Sequence, residues 1–198
     1  MKYNTEHLLN KLSTGIMIMF PVLLLIDDLF SDKYSSSAFI LQIIIVWTIA
    51  ATIISLSRLN WPKYPKAIII IAAIAILGIF GSSNIMTFRL LIGSIKNTTG
   101  AIGNTQIFDK AVTQVSPFIF LPGGITPLVI FSLSILLAKG FAKFRSAAIV
   151  VGIGSILFPV GRIGLIQPVI ISSDIFLLIG FGFLSWKILS SAAEIISA

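Results

Sequence analysis

The sequence predicts an all-α, polytopic integral membrane protein of six transmembrane helices with both termini cytoplasmic. Three observations carry this. The chain is 57% hydrophobic and only 11% charged, with a mean hydropathy of +1.06, whereas a soluble domain carries about 25% charged residues. The apolar residues fall into long runs near the roughly 20 residues that a spanning helix needs. The basic residues crowd into alternate connections between those runs. With 198 residues in all, six spans leave no room for a sizeable soluble domain. Residues 1–198 are therefore expected to form a single transmembrane unit.

In chain order the runs are Leu12–Leu29, Ala38–Ser57, Ala67–Phe88, Pro117–Ala138, Ser146–Ile166 and Pro168–Leu189. The first could be mistaken for a cleaved signal peptide, because Ser35, Ser36, Ser37 and Ala38 supply small residues. The apolar run stops near Leu29, however, and the acidic Asp27, Asp28 and Asp32 intervene, so it is expected to be retained. The residues before it, Asn4 to Leu9, either form a short interfacial turn or continue the first span. The second and third runs are joined by Arg58-Leu-Asn-Trp-Pro-Lys-Tyr-Pro-Lys66, with three basic residues and no acid.

The fourth run contains Leu121-Pro-Gly-Gly-Ile-Thr-Pro127. Two prolines and the pair Gly123-Gly124 interrupt a smooth helix. Thr126 before Pro127 suits an N-cap and first-turn pair. Pro127 to Ala138 then gives about 18 Å of helix at 1.5 Å per residue, too short to span. The fourth span is expected to be broken, and Pro159 and Gly161 are expected to kink or break the fifth. Lipid-exposed irregular backbone is not tolerated, so such breaks must meet protein or a cavity.

Orientation follows from the charges. With the termini inside, Lys2, Lys11, Arg58, Lys63, Lys66, Lys139, Lys143, Arg145 and Lys187 lie inside, nine basic residues against four outside, Lys33, Arg89, Lys96 and Lys110. Three of those four belong to the longest connection, Arg89 to Ser116, which is expected to be either a packed outer loop or a lid. Trp61, Tyr64 and Trp186 fit interfacial anchors on the inner side. Small residues four apart, Ala51 and Ser55, Gly78 and Ser82, Ala148 and Gly152, are candidates for close helix approach.

The chemistry is sparse. There is no cysteine, and His7 is the single histidine. Thiolate chemistry, histidine-rich metal sites and Ser-His-Asp catalysis lose their essential parts. The charge of +7 sits in short loops between spans, which argues against a nucleic-acid partner. No catalytic residue, metal site or cofactor is expected. An intramembrane enzyme would have to rest on Asp27, Asp28 and Asp174 alone.

What remains is a polar constellation near the outer face. Arg162 lies roughly 25 Å beyond Arg145 along a helix, near the far boundary of a core about 30 Å thick. It either snorkels to the headgroups or pairs with Asp174 or Asp27, since an unpaired charge is expensive in lipid. Asp174 either pairs or, with Ser172 and Ser173, caps a sixth helix that starts at Ile175. Asp28 and Asp32, four apart, could share a face for a divalent cation, or form part of an acidic loop. The candidate ligand-binding set is Arg162, Asp174, Thr126, Gly123, Gly124 and Asp27, around an outward-facing pocket for a small anionic or carbonyl-bearing ligand. The half-helix N-terminus beyond Gly124 would supply amide hydrogens and a partial positive charge to that ligand.

The functional expectation is a transport-type protein, either a carrier or a substrate-binding membrane subunit. The alternative is a structural or accessory subunit held by other membrane subunits. A bacterial inner membrane is the expected location. The lipid bilayer is the one certain partner.

Overall fold

A computed structural model of the chain describes residues 2–30, 36–81, 125–164 and 166–197. Among them every regular element is helical. Six α-helices follow in order: α1 (Lys2–Phe30), α2 (Ser36–Asn60), α3 (Pro65–Gly81), α4 (Ile125–Gly140), α5 (Arg145–Gly164) and α6 (Gln167–Ser197). A single 3-10 turn, Ala142–Phe144, joins α4 to α5. Four helices contain stretches long and apolar enough to cross a membrane, Leu8–Phe30, Ile40–Asn60, Ala142–Arg162 (with that turn) and Gln167–Ser191; α3 and α4 are shorter apolar helices.

The helix ends follow local chemistry. Tyr64 O accepts from Ile68 N at 3.0 Å, and Pro65 takes the first helical position, where its missing N–H costs nothing. Ile166 O accepts from Val169 N and Ile170 N at 2.9 and 3.0 Å, which places Pro168 harmlessly in the first turn of α6. The segment from Asn4 to Leu9 belongs to α1 without interruption.

The expected break in the fifth span and the expected cap at Thr126 differ from the structure. The helix α5 runs unbroken through Pro159 and Gly161 to Gly164; the proline removes only the donor to Ser155 O, too little to end a helix packed on a neighbour. Thr126 is not a cap, because the described helix already includes Ile125. Pro122, Gly123 and Gly124 lie outside the described residues, as do the connection 89–116, Asp32 and Ser82.

The core is a set of stripes at three- and four-residue spacing. On α1 it is Met17, Phe20 and Leu24; on α2 Ile49, Thr52, Leu56 and Asn60; on α4 Ile130, Leu133 and Leu137; on α5 Ala148, Val151 and Ser155; on α6 Leu177, Phe181, Leu184 and Ile188. Phe20 and Phe181 meet edge to face, with centroids 6.2 Å apart. The opposite faces carry large exposed apolar residues such as Trp47, Ile54, Ile70, Ile76 and Trp186, as a lipid-facing bundle requires.

The helices α5 and α6 approach backbone to backbone. A Cβ on Gly180 would come within 2.7 Å of Val151 N; one on Gly161 would lie 2.8 Å from Ile170 N, and one on Gly154 2.9 Å from Leu177 N. Backbone meets backbone at all three, so only glycine fits. The expected pair Ala148 and Gly152 is buried, but Gly152 faces the Phe131 ring at an ordinary 3.6 Å. Four-residue spacing marks small residues without telling which of them meets a backbone.

One end of the bundle is basic. The Nδ2 of Asn60, fully buried, donates to Leu56 O at 3.0 Å and to Leu133 O at 3.1 Å, tying α2 to α4. Lys63 Nζ donates to Gly140 O at the end of α4 and lies 5.0 Å from the Phe141 ring centre. Lys187 Nζ donates to Lys143 O at 2.7 Å and Ser146 Oγ at 3.1 Å. Gly140 O ends α4, where the helix dipole favours the Lys63 cation. A cavity of about 20 Å³ lies at this end, lined by Asn10, Ser13, Ser55 and Arg58 among others. It is large enough for one water molecule.

Candidate functional site

The other end of the bundle is acidic, and its charged residues continue the core stripes. Asp28 follows Leu24 by four residues on α1, Arg162 follows Ser155 by seven on α5, and Asp174 precedes Leu177 by three on α6. Each is carried inward by the face that holds its helix in the bundle.

Arg162 is the hub. Its Nη1 donates to Asp28 Oδ1 at 3.1 Å and its Nη2 to Asp28 Oδ2 at 2.5 Å. The fork geometry of guanidinium and carboxylate makes this a strong, oriented pair. The same Nη2 lies 3.8 Å from Asp174 Oδ1. The Phe158 ring, one turn earlier on α5, covers the guanidinium at 4.2 Å, adding cation–π attraction. Gln167 Nε2 donates to Asp28 O at 3.3 Å. Side-chain exposure falls inward from 29% at Arg162 through 8% at Asp28 to 0% at Asp174.

Helix ends explain part of this. Arg162 sits in the last turn of α5, where a cation complements the dipole. Asp28 sits in the last turn of α1, where an anion opposes it. A guanidinium across the gap therefore relieves an unfavourable position as well as pairing a charge.

Asp174 is inside α6, not at its start, since the helix begins at Gln167. The capping alternative therefore fails. Its Oδ1 accepts from Ser173 Oγ at 3.3 Å, while its Oδ2 is buried with no partner. The structure brings Arg162 and Asp174 to 3.8 Å, but Asp28, at 2.5 Å, is the primary partner.

Asp27 does not pair with Arg162. It turns to α2, where Gln42 Nε2 donates to its Oδ2 at 3.4 Å. Consecutive helical residues point about 100° apart, so only one of Asp27 and Asp28 can face α5. The stripe Met17, Phe20, Leu24 selects Asp28, a register signal that charge counting missed. Gln167, Gln42 and Phe158 were missed as well, having no charge to draw notice.

Thr126 is buried on α4 and its Oγ1 has no hydrogen-bond partner; no contact links it to Arg162. Gly123 and Gly124 lie outside the described residues. Among the described residues no group of three His, Cys, Asp or Glu side chains converges as a metal site would require.

Chemically, the cluster can bind or exchange a small charge. Asp28 takes one donor from each Nη atom of Arg162, while the Nε–H is buried without a hydrogen-bond partner. Comparison with protein-family models, with curated proteins and with solved structures finds no match.

Proposed function

We propose that the chain is a six-span membrane protein of transport type, either a carrier or the substrate-binding subunit of a larger transporter. Its working polar site is the Asp28–Arg162–Asp174 cluster. The reading carries with it cytoplasmic termini, an outward-facing acidic end and a bacterial inner-membrane location. The single observation behind it is the cluster itself: three ionisable residues from three helices, gathered at one end of an otherwise apolar bundle. Ionisable residues inside a membrane bundle are costly and mark functional positions by default.

The chemistry of the site narrows the ligand. An anionic or carbonyl-bearing ligand competes with Asp28 for the guanidinium and meets the carboxylates of Asp28 and Asp174 beside it. A cationic ligand meets two carboxylates and a single competing cation. The excess of acid thus favours positive charge over the anion that the glycine-rich break at 121–127 suggests.

A second reading has its own support. The bidentate Asp28–Arg162 pair ties α1 to α5, as a purely structural clamp in an accessory subunit would. Ligand-dependent stability separates the two. Purified protein, wild type and Arg162→Ala, is melted in detergent with a panel of small amines, alkali cations, carboxylates, phosphates and vitamins. The transport reading expects a solute that raises the wild-type melting temperature and not the variant's. No response to any solute, with a stoichiometric membrane partner co-purifying, supports the accessory subunit instead.

A further inference from the structure

We infer that the Asp28–Arg162–Asp174 cluster holds one exchangeable monovalent cation, a proton or a sodium ion, between its two carboxylates. The inference rests on the preceding reading only in taking this cluster as the working site.

Charge comes first. Two carboxylates address one guanidinium nitrogen, Arg162 Nη2, at 2.5 Å from Asp28 and 3.8 Å from Asp174. Asp28 takes both Nη atoms. One guanidinium neutralises one carboxylate, so with every group ionised the cluster keeps one uncompensated negative charge. Asp174, fully buried, is where that charge falls. An isolated buried carboxylate is among the most expensive groups in an apolar interior.

Hydrogen bonding points the same way. The Asp174 and Asp28 carboxylates converge on one nitrogen, Arg162 Nη2. Ionised carboxylates only accept, so two of them facing each other without a hydrogen repel. The Oδ2 of Asp174 is buried with no donor. A proton from the aqueous phase, forming an O–H bond on one of the two carboxyls, turns it into a donor to the other. It thereby removes the excess charge and the repulsion together. A sodium ion on Asp174 Oδ2, a carboxylate oxygen of Asp28 and Ser173 Oγ would do the same without a covalent change.

Among the described residues no surrounding group supplies the missing charge. Among the described residues, α1 contributes Asp27 and Asp28, and α5 contributes Arg162. From α2, Gln42 reaches only Asp27. On α6 itself the neighbours are the neutral Ser173 and Gln167. Arg162, at 29% side-chain exposure, gives the cluster a path to the surface along which a small cation can exchange.

The test is infrared spectroscopy of the full chain in sodium-free lipid nanodiscs, with a parallel sodium titration of the melting temperature. A proton occupant gives a protonated-carboxyl C=O band near neutral pH. That band shifts in D2O, is lost in Asp174→Asn, and is unmoved by sodium chloride at constant pH. A sodium occupant gives a rise in melting temperature with sodium but not with choline, absent in Asp174→Asn, and erases any such band with proton release. If Asp174→Asn does not fold, the D2O shift and alkaline titration of the wild-type band serve in its place. Neither a protonated-carboxyl band nor a sodium-specific shift in natively melting wild type overturns the inference. A cation signal in protein that responds to no other solute keeps this site and sinks the transport reading. A solute response with no cation signal does the reverse.

Discussion

Asp28 in the last turn of α1 grips Arg162 in the last turn of α5 through both guanidinium Nη atoms, at 3.1 and 2.5 Å. The pair joins residues far apart in the chain at the acidic end of the bundle, with Asp174 of α6 3.8 Å away. The contact is therefore both a tie between α1 and α5 and the charge on which α6 depends.

Removing the guanidinium leaves two carboxylates without their cation. Arg162→Ala is expected to cost about 3–5 kcal/mol, the range for breaking a buried pair from one side. Arg162→Lys keeps the charge but loses the fork, so its loss should fall between wild type and Arg162→Ala. Reversible unfolding in a lipid–detergent mixture measures both. A lysine variant as stable as wild type would show that the bidentate geometry is irrelevant.

The α5–α6 interface should be intolerant at three glycines and tolerant elsewhere. Gly180→Val and Gly161→Leu drive side chains into backbone at 2.7 and 2.8 Å, and are expected to cost about 1–3 kcal/mol or more by overpacking. The Cβ positions of Gly15 and Gly182 meet nothing within 4 Å. Alanine there should be neutral or stabilise by up to about 1 kcal/mol through helix propensity. Melting temperatures of the four variants check the contrast.

At the basic end, Asn60 donates to carbonyls of α2 and α4. Asn60→Ala should cost about 0.6–2 kcal/mol, the scale of interhelical hydrogen bonds in membranes. Asn60→Asp should cost more, because an ionised carboxylate would face two carbonyl oxygens with nothing to donate. Equal stability of the two variants, compared by chemical denaturation, would show that the amide does not bridge the helices.

The charge asymmetry predicts sidedness. The chain has no cysteine, so single cysteines report cleanly. In right-side-out vesicles, Ile166→Cys should react with an impermeant maleimide and Lys139→Cys should react only after permeabilisation. Both positions are exposed. The opposite pattern would invert the proposed orientation.

How much of this was legible depends on what each signal measures. Hydropathy identifies apolar runs well, and the four long apolar helices fall on the first, second, fifth and sixth runs. It does not say which apolar residue faces a neighbour, because lipid and core are equally apolar; Ile54 is exposed and Ile53 buried. Arg162 and Asp174 stood out as charges in apolar sequence, and the structure brings them near each other. Asp28 did not, because its place among three acidic residues reads as a loop until the stripe through Leu24 is followed. A break read from Pro159 and Gly161 does not occur, since packing against α6 holds α5 helical across both. Gly154, Gly161 and Gly180 meet backbone across the interface, a property of register that no spacing rule contains.

The most direct test of the central claim is a double-mutant cycle on the buried pair: wild type, Asp28→Asn, Arg162→Gln and the double variant, each unfolded reversibly in the same bilayer mimetic. The structure predicts strong coupling, about 1–3 kcal/mol, with the double variant more stable than the sum of the single losses implies. Losses that simply add would mean that Asp28 and Arg162 do not share the contact, and the cluster would no longer support a functional site.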